Sequence, residues 1–190
     1  WREWGVQCLD RLEGMFAFAL YDRNTRKLFL ARDRFGVKPL FTATLPDGTF
    51  AFASELKGLL AHPALERKID PLAIEDYFAW GYVPDHRSIL AGVEKLPAGH
   101  YRIVERGMAP RPPVRWYDIS FLDRHRMHEA DEAEAIRDRL CSAVESRMVS
   151  DVPLGAFLSG GVDSSTVVAM MADFAKDRVT TCSIGFDVPD

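Results

Sequence analysis

The chain has little cysteine, no long apolar run and no excess of basic charge, and each shortage removes a class of protein. Cys8, Cys141 and Cys182 are the only 3 cysteines in 190 residues. Their odd number and wide spacing fit neither a disulfide framework nor a zinc site. We read Cys141 and Cys182 as buried thiols, one in a helix and one in a strand. No apolar stretch approaches the ~20 residues of a membrane span, and the N-terminus lacks a charged-then-apolar signal pattern. No membrane partner and a cytoplasmic location are therefore expected. A net charge of −4 with mixed signs leaves no basic footprint for nucleic acid. His62, His86, His100, His125 and His128 are scattered through turns and polar stretches and are read as surface residues, not metal ligands. Two common nucleotide loops are missing as well. There is neither a G-x-x-x-x-G-K-[ST] nor a G-x-G-x-x-G, so the Walker lysine and the dinucleotide fingerprint are both absent.

What is present centres on residues 154–165, L-G-A-F-L-S-G-G-V-D-S-S. A short apolar run ends at Leu158, a Ser-Gly-Gly turn follows, and residues 166–171 read as a buried helix. This is the pattern of a strand, an anion-binding loop and a helix N-terminus. Adjacent glycines let backbone N–H groups approach a phosphate without a Cβ in the way, and the helix dipole favours negative charge there. Ser159, Ser164 and Ser165 add hydroxyls, and Asp163 supplies a carboxylate suited to Mg²⁺. Residues 179–186 read as the next parallel strand, which would bring Ile184 and Gly185 beside a nucleotide at the strand C-termini. The loop resembles the S-G-G-x-D-S pyrophosphate loop of the ATP pyrophosphatases.

The rest of the chain divides around a proline-rich stretch. Residues 14–21 alternate large and small apolar side chains and read as a strand buried on both faces. Asp22 to Thr25 is a turn, and 27–32 returns as a hairpin arm. A second hairpin pairs 39–44 with 49–53 around Pro46-Asp47-Gly48. The charged run 32–40 between the hairpins reads as a solvated loop, with Arg32 and Glu55 in structural ion pairs or, alternatively, at a domain interface. Ser54 is positioned to cap a short helix over 55–61. Asp70, Pro71 and Gly81 delimit a helix with Leu72, Ile74, Tyr77 and Phe78. Residues 93–104 end in a strand. Residues 105–115, rich in arginine and proline, are expected to hold no regular structure. Asp131 and Glu134 form a capping-box-like pair opening a helix with Ile136, Leu140, Val144 and Met148 every four residues.

Taken together, the blocks L-E-G-M-F-A-F-A-L-Y-D (12–22), R-D-R-F-G-V-K-P-L (32–40), A-S-E-L-K-G-L-L (53–60), K-L-P-A-G-H (95–100) and D-V-P-L-G-A-F-L-S-G-G-V-D-S-S (151–165) resemble the glutamine-hydrolysing asparagine synthetases, in the same order. The resemblance implies the C-terminal part of an α+β N-terminal-nucleophile glutaminase layer with antiparallel sheets over 1–104. It implies a linker over 105–130 and the start of an α/β parallel-sheet ATP-pyrophosphatase domain over 131–190. It implies ATP and Mg²⁺ as cofactors, and glutamine with aspartate or another carboxylate as substrates; it leaves a homodimer open. By that resemblance Leu158, Ser159, Gly160, Gly161, Asp163, Ser164, Ser165 and Ile184 bind ATP. Asp163 holds the metal, and Leu158 and Ile184 touch adenosine through backbone or apolar surface.

The resemblance also implies chemistry split between two domains: glutamine is hydrolysed in one, and its ammonia displaces AMP from an adenylated carboxylate in the other. The glutaminase of this family uses an N-terminal cysteine, whereas position 1 here is Trp1 and Cys8 is internal. No catalytic residue is therefore assigned, the chain is expected to be an inactive piece of a longer polypeptide, and the function expected is that of the parent. Three alternatives stay open. Residues 78–90 and 183–190 look closer to the exosortase-associated, exopolysaccharide-type relatives, which would change the acceptor. A tRNA-modifying or GMP-synthesising pyrophosphatase is disfavoured by the 14–60 blocks. A non-catalytic nucleotide-binding relative is disfavoured by the intact loop.

Overall fold

Alternation and turn chemistry make strands in the first third of the chain, and the order in which those strands pair decides which are buried. The computed structural model describes residues 1–121 and 128–185, and the chain divides into two units, Trp1–Ser120 and Phe121–Asp190. In the first unit, β1 (Ala17–Asp22) and β2 (Lys27–Arg32) form the expected antiparallel hairpin. Asp22 Oδ1 closes the turn by accepting from the Asn24 and Thr25 amides at 2.9 and 3.3 Å. The partner that lies on the other side of β2 is β6 (His100–Glu105), about seventy positions later in the chain, and β7 (Val114–Arg115) completes the order β1-β2-β6-β7.

This order corrects the reading of 14–21 as a strand buried on both faces. β1 is an edge strand with Ala19 and Tyr21 exposed, whereas Phe29, Leu30 and Ala31 of β2 are completely buried. Phe29 and Ala31 join Leu9 and the rings of Trp1, Phe16, Phe18, Tyr101 and Trp116 on one face, and Leu30 joins Leu40 and Leu96 on the other. Burying Phe29 contributes roughly 1.5–3 kcal/mol by transfer alone. β7 is a second correction. Pro110, Pro112 and Pro113 do interrupt the chain, but Val114 and Arg115 immediately after them pair with Tyr101 and His100. The unit continues to Ser120, inside the stretch expected to be linker.

A second sheet, of order β4-β3-β5, is formed by β3 (Phe41–Thr44), β4 (Phe50–Ala53) and β5 (Val93–Lys95). Arg102 on β6 ties the two sheets together, donating to Glu94 Oε2 at 2.9 Å and Thr42 Oγ1 at 3.3 Å. The short helix α1 (Leu56–Leu60) starts from Glu55 without a side-chain cap, so Ser54 does not play the part expected of it. Helix α2 (Pro71–Trp80) is bounded as read. Asp70 Oδ1 accepts from the Leu72 amide at 3.0 Å, Pro71 opens the helix, and Gly81 stops it in the left-handed region at φ 78°.

The second unit contains α3 (Glu129–Arg147), β8 (Gly155–Phe157), α4 (Val162–Phe174) and β9 (Thr180–Cys182). β8 and β9 are parallel, with Phe157 opposite Cys182. α3 opens at Glu129 from His128 without a side-chain cap, two residues ahead of the Asp131–Glu134 pair. α4 is not the buried helix expected: Met171 is buried, while Val162 and Val167 are exposed. Cys141 is half-buried and Cys182 exposed, which corrects the reading of both as buried thiols. The physical cause is the same throughout. A two-stranded parallel pair and two helices cannot cover their own apolar faces. Phe186, read as the end of the last strand, and His125 lie outside the described residues.

Candidate phosphate-binding site

The 158–161 turn takes its shape from its two ends. At the β8 end the Leu158 amide donates to the Cys182 carbonyl at 2.9 Å, and the Leu158 carbonyl accepts from Ser183 Oγ at 2.6 Å. At the α4 end the Ser165 amide donates to the Gly161 carbonyl at 3.0 Å, the first bond of the helix. The preceding amides of Val162, Asp163 and Ser164 therefore have no intrahelical acceptor. Gly161, as N-cap, offers them no side chain. Between the two ends Gly160 takes φ 82°, a conformation that a Cβ would strain.

The structure brings some of the candidate residues into direct contact. Ser159 Oγ and Ser164 Oγ lie 3.0 Å apart, Ser164 Oγ donates to the Gly161 carbonyl at 3.1 Å, and the Gly161 amide reaches Ser159 Oγ at 3.5 Å. Asp163 and Ser165 stand exposed on the first turn of α4. A carboxylate, three hydroxyls and a set of open amides thus share one helix end, where the dipole favours a polyanion. Leu158 and Ile184 flank the same strand ends. Both main-chain groups of Leu158 are engaged, the amide by the Cys182 carbonyl and the carbonyl by Ser183, and Ile184 is 77 % exposed. The Ser183 contact was missed by pattern reading, because nothing local links it to Leu158.

A second organised region was read from sequence as a solvated loop. The structure corrects that reading, since Arg32 and Asp33 are 3 % and 1 % exposed. Arg32 donates to the carbonyls of Lys38, Gly36 and Leu96 at 2.9, 2.6 and 2.6 Å, and to both carboxylate oxygens of Asp85 at 2.7 and 3.3 Å. The structural ion pair read for Arg32 is present. Asp33 accepts from the amides of Phe16, Phe35, Val37 and Lys38 at 2.9–3.3 Å. Burial alone would raise its pKa, but the four amide donors outweigh that and hold the carboxyl below the usual carboxylate range. Gly36 is required here: its φ is 65°, and a Cβ would stand 2.8 Å from the Arg32 Cζ. The region braces the first unit through the buried Arg32 and Asp33. Glu55 pairs on the surface with Lys57 at 2.7 Å.

Among the described residues no three His, Cys, Asp or Glu gather into a metal cage, and no helix is long and apolar enough to cross a membrane.

Comparison with known proteins covers both units. The family model described as a glutamine amidotransferase domain matches residues 1–117, and the asparagine synthase model matches residues 135–190. A Mycobacterium tuberculosis protein named provisionally as a glutamine-hydrolysing asparagine synthetase is 39 % identical over 98 % of this chain and 29 % of its own length. The Bacillus subtilis glutamine-hydrolysing asparagine synthetase 3 is 36 % identical over 99 % of this chain and 31 % of its own length. The Penicillium rubens amidase chyE is 32 % identical over 93 % of this chain and 26 % of its own length. The chain thus spans about a third or less of each of these relatives. The two family matches follow one another in the order of the two units; the chain belongs to the glutamine amidotransferase family, and its second unit is similar to the asparagine synthase family.

Proposed function

We propose that this chain is part of a glutamine-dependent, amide-forming synthetase in which ATP activates a carboxylate and ammonia displaces AMP. One observation carries the reading: the strand, turn and open helix end of 155–165 spell S-G-G-V-D-S-S at their centre and share a chain with an amidotransferase domain. In the proposed reaction a carboxylate oxygen attacks the α-phosphorus of ATP. The bond to the α–β bridging oxygen breaks, and pyrophosphate leaves with that electron pair. Ammonia then bonds to the acyl carbon, the C–O bond to AMP breaks, and a proton passes to solvent as the amide forms. Activation is needed because a bare carboxylate has no comparable leaving group.

In this reading the chain's contribution is a grip on the departing pyrophosphate. Gly160, Gly161 and the first-turn amides of α4 approach its oxygens, with the hydroxyls of Ser159, Ser164 and Ser165 around them. Donors of this kind, fixed before the charge develops, are each worth about 10²–10³ in rate. Asp163 is the residue that would hold Mg²⁺. One carboxylate suits an ion that arrives with the nucleotide, because Mg²⁺ keeps most of its water and meets the protein through one or two carboxylates and the substrate phosphates. Leu158 and Ile184 offer apolar surface to adenosine.

The acceptor we assign is the β-carboxylate of aspartate, supported by the names of the synthetase relatives. A different carboxylate, of the exopolysaccharide-associated kind, is the second reading, favoured by the likeness of residues 78–90 and 183–190 to those relatives. Glutamine hydrolysis of the N-terminal-nucleophile type needs a cysteine whose own α-amine serves as base. Cys8 sits inside the Gly5–Arg11 turn with its nitrogen in a peptide bond, so we assign it no such role.

The test is release of AMP and pyrophosphate from ATP by the full-length polypeptide, given ammonia and a panel of carboxylates. Aspartate-dependent release matched by asparagine is the expected result. Release that ignores aspartate and answers to another carboxylate would select the second reading, and release that answers to none would overturn both.

A further inference from the structure

The hydroxyl of Ser183 reaches across 25 positions of sequence to the residue that opens the phosphate loop. Leu158 is held twice by that segment, its amide on the Cys182 carbonyl at 2.9 Å and its carbonyl on Ser183 Oγ at 2.6 Å. The next fixed point is Gly161, whose carbonyl accepts from the Ser165 amide at 3.0 Å and from Ser164 Oγ at 3.1 Å. Between these anchors lie Ser159 and Gly160 alone, and Gly160 is already committed to φ 82°. A two-residue span tied at both ends has few conformers left. Whatever fixes Leu158 therefore fixes where Ser159 Oγ and the Gly160 amide stand.

We propose that Ser183 is a positioning residue for the phosphate loop, holding it in the shape that receives the nucleotide; this rests on the ATP reading above. The side chain does not itself need to touch phosphate. Its neighbour Ile184 is the residue assigned to adenosine, so one short segment sets the loop and lines the nucleoside pocket together. The hydroxyl is exposed, and water can take its place on the Leu158 carbonyl, so its removal loosens the loop at little cost to the fold.

In the full-length protein, Ser183→Ala should lower kcat/KM for ATP about tenfold by misplacing the loop. The KM for ammonia and the thermal midpoint should stay unchanged. Ser183→Thr, which keeps the hydroxyl, should remain within about twofold of wild type. Amide exchange over 155–161, followed by mass spectrometry, should quicken in Ser183→Ala alone. A wild-type rate in Ser183→Ala would overturn the inference while leaving the ATP reading intact, and so would equal losses in the two variants. Unchanged exchange over 155–161 would overturn it whatever the kinetics. Absence of AMP release from the wild-type enzyme would instead bring down the ATP reading on which it rests.

Discussion

The two units form their elements from similar local signals and differ in what those elements bury. The first closes β2 on both faces and puts Arg32, Asp33 and Arg102 inside with their charges answered by named partners. In the second, Met171 is the one buried hydrophobic residue among the described residues, and Phe157, Val162 and Ile184 are each more than three-quarters exposed. The polar atoms follow the same division. Arg32 and Asp33 of the first unit are spent on the fold, whereas the serines and first-turn amides of the second are bonded within one turn or left open. A phosphate site needs such open donors, and a braced turn like that of Arg32 and Asp33 cannot supply them. The buried charges of the first unit thus belong to its fold, and the open donors of the second are what the proposed phosphate grip would use.

This division is broken most directly by substitutions that should hurt one property and spare the other. Asp163→Asn in the full-length enzyme should lower AMP formation at least a hundredfold, the scale of a lost metal contact at a developing phosphate charge, and leave glutamine hydrolysis and the unfolding midpoint unchanged. Undiminished AMP formation would remove Asp163 from the site. Phe29→Ala should do the opposite, costing about 3–5 kcal/mol in urea unfolding of this chain. Val167→Ala on α4, whose side chain is 40 % exposed, should cost no more than about 0.5 kcal/mol. Equal costs at the two positions would erase the contrast. Gly36→Ala comes next, at about 1–3 kcal/mol, because it combines a left-handed backbone with a Cβ against Arg32; the unfolding midpoint reads it.

How much of this was legible in the sequence depended on how far apart the interacting residues lie. Both ends of α2 were readable because Asp70, Pro71 and Gly81 act on their immediate neighbours, and the hairpin turns were readable for the same reason. The strand, turn and helix of 155–174 were readable too, since glycines and a helix start are local features. The exchange of burial between β1 and β2 was not, because it is set by β6, which pairs with β2 from much later in the chain. The run 32–40 misled for a related reason. Alternating charges usually mean solvent, but here Asp33 takes a donor from Phe16, and Arg32 takes acceptors from Asp85 and Leu96. An aspartate three residues ahead of a glycine was the available signal, and its meaning came from partners outside the run. The Ser183 contact with Leu158 escaped in the same way.

The smallest expected effect concerns acid, and it sharpens the claim that the first unit's charges belong to its fold. The folded Asp33 carboxyl is held below its unfolded pKa by four amides that outweigh the effect of burial. The unfolded chain therefore binds the proton first as pH falls. The contribution of Asp33 is complete above the unfolded value, near 3.9, and is lost as pH drops through the lowered folded value. Asp33→Asn should be less stable at neutral pH, because its amide nitrogen turns a donor toward backbone donors. Its stability should also vary less with pH below about 5. The two proteins should converge in acid, where protonated Asp33 suffers from the same misplaced donor. Asp22 and Asp47 are also held low, chiefly by the amides of Asn24 and Thr49 in their own turns, but they are common to both proteins and cancel in the difference. Urea unfolding of the pair from pH 7 to pH 3 makes the measurement, and curves that stay parallel would show that the buried carboxylate contributes nothing through its charge.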